Sequence, residues 1–389
     1  MKYRLKQRKV GNMVNNGLKI AFLCNNYFHL MISRSIIEKV KGEFDLFLFG
    51  RIKELGQSEL AHDPVWSHVS TWYSDSSVKE ILGYSRSFAH EKISQIECLN
   101  YDYVIYFVDK DVPNQIFLNK VNAFRKIQVE EGIGLYDGAQ SISARKILLK
   151  IACFLKFGVF IRNNGDEQGA NLYNDYLIAS NVKELPCNKA IMREGLLEYT
   201  DILDSSLLSV NLPNGYFDPG RKIALFVGSD TSKLPIGITQ EMDLINEIFE
   251  ILDSNSYTLF VKPHPRESRK KYNECGVECR IDEDRSTVEE LAIKLNPDIV
   301  VSIMSSGVLN ISKMLKTSKN VFLCNIFKEN FANKYVLRKL SKNTRVFLPN
   351  STKEFKSYVE KPSESCKGME SKNFIYISDC VVSIIGKGA

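Results

Sequence analysis

Two rhythms of polar and apolar residues alternate along the chain. Short, nearly continuous apolar runs give way, after a polar loop, to stretches with apolar residues three and four apart. The first run is Leu18–Cys24, followed by the loop Asn25-Asn26-Tyr27-Phe28-His29, helical spacing over Leu30–Lys41 and a second run at Asp45–Phe49. Strand, loop, helix and strand in that order form the unit of a parallel sheet, and near-continuous apolar runs suit strands covered on both faces. Tyr103–Val108 and Lys126–Val129 predict two more strands.

The pattern breaks between Asp204 and Arg221, where Leu212-Pro213-Asn214-Gly215 and Asp218-Pro219-Gly220 are turn sequences. It then restarts. Strands are predicted at Ile223–Val227, Thr258–Val261, Asp298–Ile303 and Asn320–Cys324, and helices at Glu241–Leu252, Glu289–Lys294 and Val308–Leu315. The organisation read from this is a basic tail over 1–17, one half over 18–205, a linker over 206–221 and a second half over 222–389. The fold class is α/β: two Rossmann-like parallel-sheet domains facing a cleft. Ligands of such sheets sit beyond the carboxyl ends of the strands, so the residues there carry the functional question.

Composition narrows the classes. A length of 389 residues fits the two halves, and 44% hydrophobic against 25% charged residues excludes a disordered chain. The net charge of +6 is too mild for a nucleic-acid protein, and its basic residues are dispersed without interleaved aromatics, so no nucleic-acid partner is expected. It fits work near anionic phosphates or lipid head groups. The nine cysteines are scattered; Cys275 and Cys279 are the one close pair, and no second Cys/His pair follows at zinc spacing. They read as free thiols in a reducing compartment.

The tail carries Lys2, Arg4, Lys6, Arg8 and Lys9 but no apolar run follows at once, so no secretory signal is read. No run reaches the ~18 apolar residues of a spanning helix. Ile147–Ile161 comes nearest and is broken by Lys150 and Lys156. The expected location is cytoplasmic, with peripheral contact at the inner face of the membrane as an option through the basic tail or through Arg145–Ile161. That last segment reads first as a buried helix against the first sheet, with a helix lying in the lipid interface as the alternative.

Three constellations fall at predicted strand ends. Glu130-Glu131-Gly132-Ile133-Gly134-Leu135-Tyr136 follows the strand ending at Val129. Adjacent carboxylates repel, which raises the pKa of one and suits a general base, and the glycines allow close approach; a solvated acidic turn would look the same. Lys262-Pro263-His264-Pro265-Arg266 holds a histidine between two prolines in a positive field that suits a phosphate, or is simply a strand-ending turn. Ser302-Ile303-Met304-Ser305-Ser306-Gly307 offers hydroxyls and helix N-terminal amides to an anion, or a plain helix cap.

In this order the three motifs resemble those of the bacterial sialyltransferases of lipooligosaccharide and polysialic-acid capsules, which share an acidic-acidic-Gly, a His-Pro and a Ser-Ser/Thr element. Here these read Glu130-Glu131-Gly132, His264-Pro265 and Ser305-Ser306. The resemblance covers about 18–330 and implies the GT-B architecture and inverting transfer from CMP-sialic acid to a glycan hydroxyl without an essential metal or cofactor. It makes Glu131 the general base, supported by Glu130, and His264 the group assisting departure of CMP. Ser305 and Ser306 bind phosphate, with Pro265 and Gly307 completing their motifs; Lys262 is added from its charge.

Asn26, Tyr27, His29, Gly132 and Tyr136 are acceptor-side candidates, and Gly228-Ser229-Asp230 a weaker one for nucleotide or acceptor. The implied partners are a CMP-sugar donor and a glycan acceptor on a lipid or capsule chain. No Asp-x-Asp is read at a strand end where a divalent ion would bridge a nucleotide diphosphate, and Asp282-Glu283-Asp284, taken as the nearest acidic triplet, reads as a solvated loop. The alternatives are a CMP-Kdo capsule transferase, a CDP-glycerol glycerophosphotransferase and, outside the enzymes, a two-lobed ligand-binding protein.

Overall fold

The computed structural model describes residues 17–50, 61–73, 86–109, 111–130, 144–161, 173, 175–179, 192–193, 196–198, 220–230, 236–264, 267–268, 270–281, 287–315, 318–329, 334, 337–338, 346–361 and 374–388. Glu131, Gly132, Gly134, Tyr136, Pro265 and Asp282–Asp284, and the tail and linker up to Pro219, for which the sequence carries expectations, lie outside them.

The first sheet contains β1 (Leu18–Cys24), β2 (Gly42–Gly50), β3 (His68–Tyr73), β4 (Asn100–Tyr106), β5 (Asn122–Val129), β6 (Tyr176–Ile178) and β7 (Met192–Arg193). All pairings are parallel and the order is β3-β2-β1-β4-β5-β6-β7. Successive side chains of β1 leave on opposite faces, as strand geometry requires. Ile20, Phe22 and Cys24 enter one core with Leu30, Met31 and Ile32 of helix α1 (Tyr27–Ile37). Ala21 and Leu23 enter another with helices α2 (Arg86–Glu97), α3 (Val112–Lys120) and α4 (Ala144–Phe157). The helix expected at 145–161 is buried on one face only. Cys153 and Phe157 lie in the core, while Ile147, Leu148, Ile151, Phe154 and Leu155 are exposed.

After β8 (Leu196–Glu198), the second sheet contains β9 (Lys222–Val227), β10 (Tyr257–Lys262), β11 (Arg280–Ile281), β12 (Ile299–Ser302), β13 (Lys319–Phe322) and β14 (Val346–Phe347), parallel in the order β11-β10-β9-β12-β13-β14. Helix α5 (Ile238–Ser254) covers one face with Leu244, Ile245, Ile248, Phe249 and Leu252, an apolar stripe at helical spacing. Helices α6 (Val288–Leu295) and α7 (Gly307–Met314) cover the other. A capping box starts α6: Thr287 accepts from the Glu290 amide, and the Glu290 side chain accepts from the Thr287 amide. Helix α8 (Thr352–Glu360) adds Phe355 and Val359 to the α5 side.

The end of the chain returns to the first domain. Helix α9 (Ile377–Gly388) puts Ile377, Cys380, Val381 and Ile385 into the core beside α1, and Ile385 accepts from the Tyr103 hydroxyl at 3.3 Å. Lys39 pairs with Asp379 at 2.9 Å, and β15 (Phe374–Tyr376) pairs with β8. The division at 206–221 counted this segment with the second half; it packs on the first. The two cores also meet at α7. Val308, Leu309 and Ile311 face the second core, and Met314 reaches the first.

Candidate active site

Three adjacent strands, β10, β9 and β12, bring the His-Pro and Ser-Ser elements to one edge. Past β9, Gly228 donates to the Lys262 carbonyl at 2.8 Å, extending the sheet ladder by one rung. A Cβ on Gly228 would stand 2.6 Å from the His264 nitrogen and 2.1 Å from Glu267 Oε2. Glycine here is what lets the histidine loop close over the strand.

That loop is a tight turn. The His264 amide donates to Glu267 Oε2 at 2.9 Å, and the Glu267 amide donates to the His264 carbonyl at 2.9 Å. The Glu267 carboxylate is fixed in turn by the Tyr272 hydroxyl at 3.0 Å and by Lys271 at 2.6 Å, and Lys271 also reaches Glu241. Burial, then the neighbouring Glu267 carboxylate, push the Tyr272 phenol up, so it stays a neutral donor. His264 therefore sits half-buried on a frame braced by buried charged groups.

Beside it, Ser229 and Ser302 are buried and their hydroxyls meet at 3.0 Å. Ser229 Oγ accepts from the Met304 amide at 3.1 Å and Ser302 Oγ from the Ser305 amide at 2.9 Å. Two strand ends thus pin the loop that carries Ser305 and Ser306 into the start of α7. Ser306 precedes the helix in right-handed helical backbone and makes no side-chain cap bond, so the plain-cap reading does not hold for it. Gly307 is buried against α6, where a Cβ would stand 2.5 Å from Val288 Cγ1.

The acidic motif enters through Glu130. Its amide donates to the Ile178 carbonyl at 2.9 Å, and its buried carboxylate accepts from Lys313 of α7 at 2.8 Å. One eight-residue helix, about 12 Å long at ~1.5 Å per residue, therefore starts at the Ser-Ser element and grips the acidic motif from its last turn. Glu130 is an oriented, paired carboxylate and not a solvated one.

Asn26, Tyr27 and His29 serve the loop after β1. Asn26 caps α1 by accepting from the His29 amide at 2.9 Å, and His29 Nδ1 accepts from the Asn25 amide at 3.0 Å. The His29 ring is fully buried and stacked on Phe107 at 4.3 Å, and Tyr27 is buried as well. Asp109 and Asp111 form an Asp-x-Asp just past β4 that the sequence reading passed over. Among the described residues no group of three or more His, Cys, Asp or Glu stands close enough to hold a metal ion.

The sequence model described as alpha-2,8-polysialyltransferase matches residues 21–325, which spans the acidic, His-Pro and Ser-Ser elements together. The chain belongs to the alpha-2,8-polysialyltransferase family. This polysialyltransferase-family chain is a glycosyltransferase of the sialyltransferase type. No curated protein matches it in sequence.

Solved structures place its fold. A putative UDP-N-acetylglucosamine 2-epimerase from Listeria monocytogenes superposes with a TM-score of 0.58 at 11% identity, over 95% of this chain and 96% of that one. The UDP-GlcNAc 2-epimerase from Neisseria meningitidis gives 0.56 at 10%, over 95% and 100%. The spinosyn forosaminyltransferase SpnP gives 0.52 at 9%, over 96% and 99%. The fold is GT-B, as the strand pattern and the resemblance implied.

Two residues that brace the candidate site escaped sequence reasoning in this family member. Lys313 is a lone cation in the apolar run Val308–Leu315, and Glu267 stands three residues past His264. A charge inside an apolar helical stripe was the available signal for the first.

Proposed function

We propose that the protein transfers sialic acid from CMP-sialic acid to a glycan hydroxyl in one inverting step without a metal. The acceptor oxygen attacks the anomeric carbon as the bond to the CMP phosphate oxygen breaks, and Glu131 takes the hydroxyl proton. Glu130, held by Lys313, fixes the backbone on which Glu131 follows. His264 and Lys262 neutralise charge developing on the leaving phosphate, and Ser305, Ser306 and the first amides of α7 add hydrogen bonds to it. Positioning and phosphate stabilisation supply most of the rate. Asn26, Gly132 and Tyr136 remain the acceptor-side residues, since Tyr27 and His29 are turned inward. The acceptor is a glycan on a lipid or a growing capsule chain, and the enzyme works at the inner face of the membrane. No helix among the described residues is long and apolar enough to cross one.

What supports this reading above all is that the His264 turn packs against Gly228 while Ser229 holds the Met304 amide and Ser302 the Ser305 amide, which sets His264 and Ser305 at the carboxyl ends of adjacent strands. The test is a donor panel. CMP-sialic acid, CMP-Kdo and CDP-glycerol are incubated separately with the enzyme and a sialylated oligosaccharide, with and without EDTA, and CMP release is followed. Release from CMP-sialic acid alone, unaffected by EDTA, is the expected result. Release from another donor, or CMP failing to bind at all, overturns the assignment.

A further inference from the structure

Helix α4 has two apolar faces, and the fold uses one. Cys153 and Phe157 are packed among the residues of the first core. Ile147, Leu148, Ile151, Phe154 and Leu155 are 48–64% exposed, and Phe160 just past the helix is 59% exposed. At ~100° per residue those five helix positions fall within an arc of about 120°, so they form one stripe. Val69, Phe124 and Ile238, the other large apolar residues exposed among the described positions, do not belong to this stretch. Isolated exposed apolar residues are ordinary, whereas a contiguous stripe is an interaction surface.

The charges around the stripe select its occupant. The same helical geometry sets Lys150 on one border of the stripe, about 40° past Phe154. From Ala144 to Arg162 the sequence holds Arg145, Lys146, Lys150, Lys156 and Arg162 and no Asp or Glu. The Lys150 ammonium lies 5.7 Å from the Phe160 ring centroid, at the edge of the apolar surface. A second copy of the chain would bring the same cations against these. An anionic lipid surface complements both features: acyl chains receive the stripe, and Lys150 at its edge, within a segment free of acidic residues, reaches head groups.

We propose that the outer face of α4 seats the enzyme on an anionic membrane surface, with the Ile147–Leu155 stripe at the boundary between head groups and acyl chains. The surface stands on α4 alone and holds whichever donor the enzyme uses.

The test is flotation of the full-length enzyme with phosphatidylcholine vesicles, with and without phosphatidylglycerol, beside Leu148→Ser/Phe154→Ser. Both positions are exposed, so the variant keeps its melting temperature and its rate of CMP release on a water-soluble acceptor. Wild type floats with the phosphatidylglycerol vesicles, and the variant loses about tenfold or more in partitioning. Wild type that stays in solution overturns the proposal. So does a variant that floats equally well, which would move the contact to another segment. Sedimentation separates the remaining occupant: a wild-type dimer that the variant disperses assigns the face to a second copy and also overturns it.

Discussion

Lys313 donates to Glu130 at 2.8 Å across 183 positions of sequence, and the two side chains are 4% and 3% exposed. The pair joins the first sheet's acidic motif to the helix that follows Ser305 and Ser306. Removing one member of a buried ion pair leaves a desolvated charge, which costs about 3–5 kcal/mol, whereas replacing both with apolar groups is often close to neutral. Lys313→Met is therefore expected to lower unfolding stability by about that amount. Adding Glu130→Met should restore most of it. Urea unfolding of both single variants and the double variant measures the coupling, and additive losses would contradict the account.

Gly228→Ala forces a Cβ into the space of Glu267 Oε2 and the His264 amide. Backbone and a braced carboxylate cannot yield cheaply, so the variant should lose about 1–3 kcal/mol, and its CMP affinity should fall at least as steeply. Calorimetric titration with CMP beside thermal melting checks both. Normal CMP binding would show that the His264 turn is not part of the nucleotide site.

Ser302→Ala removes the acceptor that holds the Ser305 amide and the partner of the buried Ser229 hydroxyl. The stability cost is about 1–3 kcal/mol for the groups left unpaired. Loss of CMP affinity is expected with it, since the loop under Ser305 and Ser306 loses one of its two pins. Ser302→Thr, which keeps the hydroxyl, should recover part of the binding.

The thiols give a pH prediction. Burial pushes Cys24 up to about 12, and Cys153 and Cys324 to about 11, from an ordinary value of 9.0. They remain neutral at pH 7.5 and should resist iodoacetamide, while exposed Cys98 is alkylated before them, as peptide mass spectrometry would show. A raised thiol pKa contributes stability that is complete below about pH 9. That stability is lost progressively as pH rises from about 9 to about 11 to 12, so denaturation midpoints should fall over that window.

The β-α-β rhythm was legible because parallel strands are apolar on both faces. Leu18–Cys24 was read with its observed bounds, and Ile223–Val227 within one residue. Helix α1 was read from Leu30 but begins at Tyr27: Asn-Asn-Tyr-Phe-His looks like a loop until Asn26 is seen capping the helix and His29 stacking on Phe107. The apolar spacing of Ile377, Cys380, Val381 and Ile385 is visible in the sequence, but its destination in the first core is tertiary information. The three motif strings are short enough to be read from the sequence, and the family match spans all three positions. Lys313 and Glu267 were not legible, because their meaning lies in partners and turns that no spacing rule encodes.

The most direct test of the central claim is the rate of CMP release from CMP-sialic acid with a sialylated oligosaccharide acceptor, wild type against Glu131→Gln, with CMP affinity measured on the same preparations. The account predicts that kcat falls by about 10²–10⁴ while the Kd for CMP stays within about twofold. A Glu131→Gln enzyme that turns over at the wild-type rate, or that loses activity only in step with CMP binding, would contradict it.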